Sequence, residues 1–293
     1  ALDAETGDTV ALKVPATEIR QDPAALERFL TEEWVARRLD SPHVLKARPR
    51  QREQNYLYVV MEFIEGQTLT QWMRDNPQPD LETVRTIVEQ IARGLRAFHR
   101  QEMIHQDMRP DNVMIDGNGT ARIIDFGATK VAGITEGLGT DQADEMLGTQ
   151  QYSAPEYFVG DSGTPRSDLF SLGVITYQML TGRLPYGTDV AKIRSPAQAK
   201  RLRYQPAPRF NRAVPAWMDG AIRQALEPDP GRRYQDVDEF VHDLRHPRPD
   251  LVRRSRPPLI ERNPEAFWQG VSAVLALIVI ALLTVIGTGG SAF

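Results

Sequence analysis

The sequence predicts an α+β protein, with a small strand-rich lobe, a larger and mainly helical one, and an apolar helix at the end. Three observations predict it. Patterns rich in β-branched and aromatic residues fall at residues 9–14 and 56–63. Periodicity near 3.6 dominates after Asp80, and residues 266–286 carry no charge at all. The 293 residues suffice for one large domain or two smaller ones, and 41% hydrophobic with 25% charged residues argues against wholesale disorder. Gly and Pro, 21 each, are too few for a collagen-like chain, and the absence of Cys excludes a disulfide scaffold, a zinc finger and a thiol nucleophile.

The turn Thr6-Gly7-Asp8 leads into Thr9-Val10-Ala11-Leu12-Lys13-Val14, which reads as a strand. Asp22-Pro23 starts a helix, with Asp as N-cap and Pro at the first helical position, and the helix runs to about Leu39, stopping before Ser41-Pro42. Residues 56–63 form a second strand that ends at Glu65-Gly66. After Pro79-Asp80, the apolar residues Leu81, Val84, Ile87, Val88, Ile91, Leu95 and Phe98 share one helical face. Asp116-Gly117-Asn118-Gly119 is a hairpin turn between strands 113–115 and 121–124. Residues 127–148 lack periodicity and read as a long loop of the functional kind. Helices are expected at 168–181, 215–226 and 236–244, and there is no internal repeat.

Charge is unevenly spread. Residues 245–262 hold six Arg against Asp250 and Glu261, while residues 1–244 sum to −7. An acidic body gives no electrostatic basis for nucleic-acid binding. The basic stretch instead precedes 21 uncharged residues, twelve of them Phe, Leu, Ile or Val. A helix of that length spans about 31 Å, matching the roughly 30 Å hydrocarbon core. Its large side chains supply about 4–7 kcal/mol of insertion free energy. Trp268 sits where an interfacial aromatic belongs, and Arg253, Arg254, Arg256 and Arg262 flank one side only. A single membrane pass is expected, with the N-terminal body in the cytoplasm. No secretory signal opens the chain.

The densest chemistry lies in His105-Gln106-Asp107-Met108-Arg109-Pro110-Asp111-Asn112, followed eighteen residues after Asp107 by Asp125-Phe126-Gly127. An Asn and an Asp brought together by a hairpin make a hard-oxygen site suited to Mg²⁺. Asp107 is then left to orient a hydroxyl, and Arg109 to meet a transferring phosphoryl group. Each piece alone is a weak signal.

In order along residues 1–246, these motifs closely resemble those of the eukaryotic-type (Hanks-type) protein Ser/Thr kinases of bacteria. Val10-Ala11-Leu12-Lys13 is similar to the strand of the ATP-phosphate lysine, and Glu32, with Glu33 as the alternative register, to the helix glutamate that pairs with it. Met61 resembles the gatekeeper and Glu62-Phe63-Ile64 the adenine hinge. Residues 105–112 resemble the catalytic loop, and Asp125-Phe126-Gly127 the metal-binding motif. Gly148-Thr149, Tyr152 and Ala154-Pro155-Glu156 resemble the end of the activation segment. Asp168-Leu169-Phe170-Ser171-Leu172-Gly173 resembles the start of the buried C-lobe helix, and the stretch from Asp229-Pro230 to Arg233 the motif whose arginine meets Glu156.

The resemblance implies a bilobal protein-kinase fold, with a partial N-lobe at 1–66 and a C-lobe at 67–246, then a basic Pro-rich linker (247–265), the membrane helix (266–286) and a short tail (287–293). It implies ATP-dependent phosphorylation of protein Ser/Thr hydroxyls with Mg²⁺, or Mn²⁺ in its place. Asp107 and Arg109 would be catalytic, and Asn112 and Asp125 metal ligands. Lys13, Glu32, Glu62, Ile64 and Met114 would bind ATP, and Thr149 would help present the substrate hydroxyl. Glu156, Arg233, Asp168 and His105 would be scaffolding. Partners would be substrate proteins, and membrane lipid through the C-terminal helix, with the kinase domain on the cytoplasmic side of the inner (plasma) membrane.

Gln106 departs from the family by replacing an arginine that gathers a loop phosphate, so control through Thr135 or Thr140 is not expected. Arg109 replaces a lysine. The G-x-G-x-x-G loop is absent from the residues before Lys13, which reads as a chain opening within the second strand, as a fragment would, and implies weak ATP binding. That absence makes a non-catalytic scaffold the alternative function. A small-molecule kinase of the aminoglycoside type shares Asp107 and Asn112 at their spacing but not Ala154-Pro155-Glu156 or the Asp168 motif. The Phe267-Trp268-Gln269-Gly270 end is also similar to that of membrane kinases fused to an upstream metal-dependent phosphatase.

Overall fold

The computed structural model describes residues 1–15, 22–48, 56–131, 149–254 and 264–289. Strand β1 (Val10–Lys13) pairs antiparallel with β2 (Val59–Glu62), Val10 opposite Glu62 and Lys13 opposite Val59. A tight hairpin precedes β1: Leu2 bridges Thr9, and the turn between them passes through Gly7 at φ +74°, the left-handed region that favours glycine. β2 is shorter than the 56–63 pattern predicts. Its second edge is taken by residues 46–48, through Glu62 N–H to Lys46 O (3.0 Å) and Arg48 N–H to Val60 O (2.8 Å), so only the segment with partners on both sides stays in the ladder.

Helix α1 (Pro23–Arg38) starts at the expected Asp22-Pro23 and buries Phe29, Glu32, Val35 and Ala36. The C-lobe begins with β3 (Gly66–Thr68), α2 (Leu69–Asp75) and α3 (Leu81–Arg100). Asp80 caps α3 by accepting from Thr83 N–H at 2.8 Å, and the predicted apolar face is buried, with Leu81 at its margin. Strands β4 (Met103–Ile104), β5 (Val113–Asp116), β6 (Ala121–Ile123) and β7 (Lys130–Val131) follow. β5 pairs with both β3 and β6, and β4 with β7. Lys130 and Val131, expected as part of a loop, thus enter a short ladder; residues 132–148, with Thr135, Thr140 and Gly148, lie outside the described residues.

Helix α4 (Pro165–Thr181) is buried on nearly every side, as its evenly apolar sequence requires. α5 (Pro196–Ala199) follows it, α6 (Ala216–Ala225) packs on it together with α3, and α7 (Val237–Arg245) packs on α3 and α6. The start of the Pro-rich linker packs against the body. Its first part forms α8 (Pro249–Arg254), and Leu251 is fully buried. A Cβ on Gly220 of α6 would lie 2.3 Å from Leu251 O, so the backbones meet only because residue 220 is glycine. Arg248 fixes the approach by pairing with Asp243 (2.9 Å) and Asp250 (2.7 Å). The folded body therefore continues past residue 246.

Helix α9 (Pro264–Gly289) is continuous over the predicted span. Among the described residues, no helix is long and apolar enough to cross a membrane; side chains of α9 are described only to Ile280.

Candidate active site

The β1–β2 ladder and α1 meet at Lys13. Its Nζ donates to Glu32 Oε1 at 2.5 Å and lies 3.6 Å from Asp125 Oδ1. The register question is settled by partners: Glu33 instead pairs with Arg37 at 2.8 Å, one turn along the same helix. Burial pushes the Glu32 carboxyl above the usual range, and the Lys13 charge only partly offsets this.

The catalytic-loop residues are held by the C-lobe. Asp168, buried at the start of α4, accepts from His105 N–H (2.9 Å), Gln106 N–H (3.0 Å) and the His99 ring (2.9 Å). These bonds hold Gln106 at φ +67°, a left-handed conformation costly for a non-glycine residue. The Gln106 side chain donates to Ser162 O (3.3 Å). His105 lies edge-on to Phe98 at 5.4 Å, and its Nδ1 accepts from Asp107 N–H at 3.3 Å.

Asn112 sits at the end of a 3-10 turn before β5 and donates to Asp107 O (2.7 Å) and Oδ2 (3.0 Å). Its amide carbonyl remains as a donor of electron pairs. Asp125 follows β6, and its Oδ1 accepts from Gly127 N–H at 3.0 Å. Burial raises the Asp107 carboxyl, and the Asn112 amide and the Arg109 charge offset only part of it. At Asp125 burial acts the same way, but Lys13 and the Gly127 N–H outweigh it and hold the carboxyl low. Two carboxylates in one cleft are thus pushed apart, which is the usual signature of different chemical roles.

Arg109 faces Asp111 (3.6 Å), which also accepts from Thr70 Oγ1 at 2.9 Å. Glu62 lies at the far end of the ladder from Lys13, about 10 Å along it by strand rise. Its carboxylate accepts from Lys46 N–H. Ile64 is buried beyond it, and Met114 on β5 lies opposite Thr68. Among the described residues no hydrogen bond or ion pair joins these three to the Lys13 cluster. The Thr149 side chain lies outside the described residues. Sequence reasoning missed His99 and Thr70, since neither carries a motif and each acts across 40 or more positions.

Behind the site, Glu156 and Arg233 form a bidentate pair with both bonds at 2.7 Å, and Ser167 Oγ also donates to Glu156 (2.6 Å). This pair ties the end of the activation segment to the C-lobe.

A small sheet lobe with a Lys–Glu pair, set on a helical lobe carrying Asp107, Asn112 and Asp125, defines a protein-kinase type of phosphotransfer site. A model of the protein kinase domain matches residues 1–245, and the chain belongs to that family. It is 33% identical over 237 residues to serine/threonine-protein kinase PknA of Corynebacterium glutamicum, covering 79% of this chain and 49% of the relative. It is 29% identical to PrkC of Bacillus subtilis, covering 80% and 36%. It is 28% identical to PknA of Mycobacterium tuberculosis over 288 residues, covering 94% and 64%. The chain spans about half or less of the length of the first two relatives. Their names give no support to a fused phosphatase.

Members of this family use ATP and Mg²⁺. The residues fit both. Asp125 and the Asn112 carbonyl supply hard oxygens. Among the described residues no cluster of three or more His, Asp or Glu could hold a metal ion.

Proposed function

We propose that this chain is a protein Ser/Thr kinase, transferring the γ-phosphoryl group of ATP to Ser/Thr hydroxyls of proteins, and that α9 anchors it in the inner (plasma) membrane with the kinase body cytoplasmic. The observation that carries the kinase reading is the convergence of Lys13, held by Glu32, on Asp125 beside the Asp107–Asn112 pair.

Bound Mg²⁺-ATP supplies the phosphoryl group and the ion that offsets its charge. Lys13 positions the α- and β-phosphates, and Glu32 keeps its ammonium aimed into the cleft. Asp125 and the Asn112 carbonyl would hold the ion. Asp107, oriented by the Asn112 amide, takes the substrate hydroxyl proton as the new O–P bond forms and the β–γ bond breaks. Arg109 offsets charge on the group in flight. Glu62, Ile64 and Met114 hold adenine. A non-catalytic scaffold is not favoured, because Lys13, Glu32, Asp107, Asn112 and Asp125 are all present and brought together.

Anchoring is supported by the uncharged run 266–286, the one-sided Arg flank, and the exposure of Val274, Leu275, Leu277, Ile278, Val279 and Ile280, each 50% or more.

Transfer to a Ser/Thr peptide tests the kinase reading. Asp107→Asn should abolish turnover and leave ATP affinity nearly unchanged, since Asp107 acts on the hydroxyl and not on the nucleotide. Wild-type turnover in that variant would refute it.

A further inference from the structure

The charge asymmetry extends into the folded body. Residues 183–233 hold eleven Lys and Arg against four Asp and Glu, a net of +7, whereas residues 1–182 hold eighteen against twenty-eight, a net of −10. Arg233 is buried with Glu156, while Lys192 and Arg232 pair with Asp189 and Asp229. Arg183, Lys200, Arg201, Arg203, Arg209 and Arg212 are exposed, and among the described residues none meets a carboxylate within ion-pair distance.

Hydrogen bonds lay this basic stretch across the end of α4 and onto α6. Gln205 N–H donates to Pro185 O (3.0 Å) and the Asn211 amide to Leu180 O (2.9 Å), lacing the chain after α5 to the end of α4. Arg183 and Arg209 both lie over the Phe210 ring, at 4.8 and 5.7 Å. Tyr204 OH and Ala207 N–H both donate to Asp219 Oδ1, at 2.8 and 2.7 Å, which fixes the basic stretch on α6. The next residue is Gly220, against which Leu251 of α8 docks. The basic end therefore sits beside the point where the chain leaves the body toward α9.

We propose that this basic end of the C-lobe is a docking face for an anionic lipid surface. The inference rests on the membrane anchoring proposed above. Only nine residues, 255–263, separate α8 from α9, a reach of about 30–36 Å. An anchored body is thus confined near the headgroups, and its charge separation turns the basic end toward an anionic leaflet and the acidic remainder away. An acidic substrate protein would suit the same charges, but nothing about it accounts for their position beside the membrane exit.

Hydrogen exchange on the full chain, inserted in vesicles of phosphatidylcholine alone or mixed with phosphatidylglycerol, tests this. Exchange across residues 200–212 should slow about fivefold or more on the anionic vesicles, and the effect should disappear at high salt. It should also disappear in the R201E/R203E/R212E variant, while exchange in α4 stays unchanged as a control for folding. Equal exchange on both vesicles overturns the proposal, as does protection by a poly-glutamate peptide with none from lipid. If the chain fails to float with phosphatidylcholine vesicles, the anchoring reading fails separately. Salt-sensitive flotation with phosphatidylglycerol, lost in the variant, would then still support the face, and its absence would overturn it.

Discussion

Asp107 and Asp125 share a cleft but answer to different neighbours, and a pH profile should separate them. Asp107 must be ionised to take a proton, and burial raises its carboxyl. Turnover should therefore fall on acidification with an apparent pKa above the ordinary aspartate value of about 3.9. Asp125, held low by Lys13 and the Gly127 N–H, stays ionised through that range, so Mg²⁺-ATP binding should outlast turnover as pH falls. Parallel pH curves of kcat and of ATP Kd check this, and their coincidence would contradict it. Glu32 yields a stability prediction of the opposite sense. Its folded-state carboxyl already lies above the usual range, and Lys13→Met removes the charge that offsets burial. The folded variant then binds a proton that the unfolded chain has released, so its stability should drop as pH rises through the carboxylate range. A melting temperature of Lys13→Met that holds level or climbs over that range would sink the account.

Docking of α8 reverses the normal consequence of replacing a helical glycine. Gly→Ala in a helix ordinarily stabilises by up to about 1 kcal/mol. At Gly220 the new Cβ would press on Leu251 O at 2.3 Å, and burial of a Leu is worth about 1.5–3 kcal/mol. Gly220→Ala should therefore lower stability by about 1–2 kcal/mol in urea unfolding and speed exchange across residues 249–254. A more stable variant with unchanged exchange would show that α8 is not held there. Nothing in residues 247–254 signalled this docking, because a Pro- and Arg-rich stretch with one Leu has no period to read. The same holds for β4 and β7, two residues each, and for α2, whose seven residues give less than two turns of pattern. The long helix α3 was legible from its apolar spacing alone, since twenty residues repeat the stripe over five turns. Much of the site was legible for another reason: Asp107, Asn112 and Asp125 lie within nineteen residues and are joined by one hairpin. The bonds that brace it were hidden, because Asp168 reaches the loop from 62 and 63 positions away and no local pattern reports that approach.

At the scale of the whole molecule, the proposed anchoring would set the orientation of the body relative to the bilayer by charge on one side of an apolar helix. Arg253, Arg254, Arg256 and Arg262 precede α9, and no charged residue follows Glu265. Moving four Arg across a bilayer is far less favourable than moving uncharged residues, so an anchored body would keep its Arg flank on its own side. The catalytic cleft would then face the compartment that supplies ATP, as the proposed reaction requires. Protease added outside intact cells should spare the kinase body and cut only an epitope tag placed after Phe293, while lysed cells should show both cleaved. Digestion of the body in intact cells, with the tag protected, would invert the topology and remove the nucleotide supply on which the kinase reading depends.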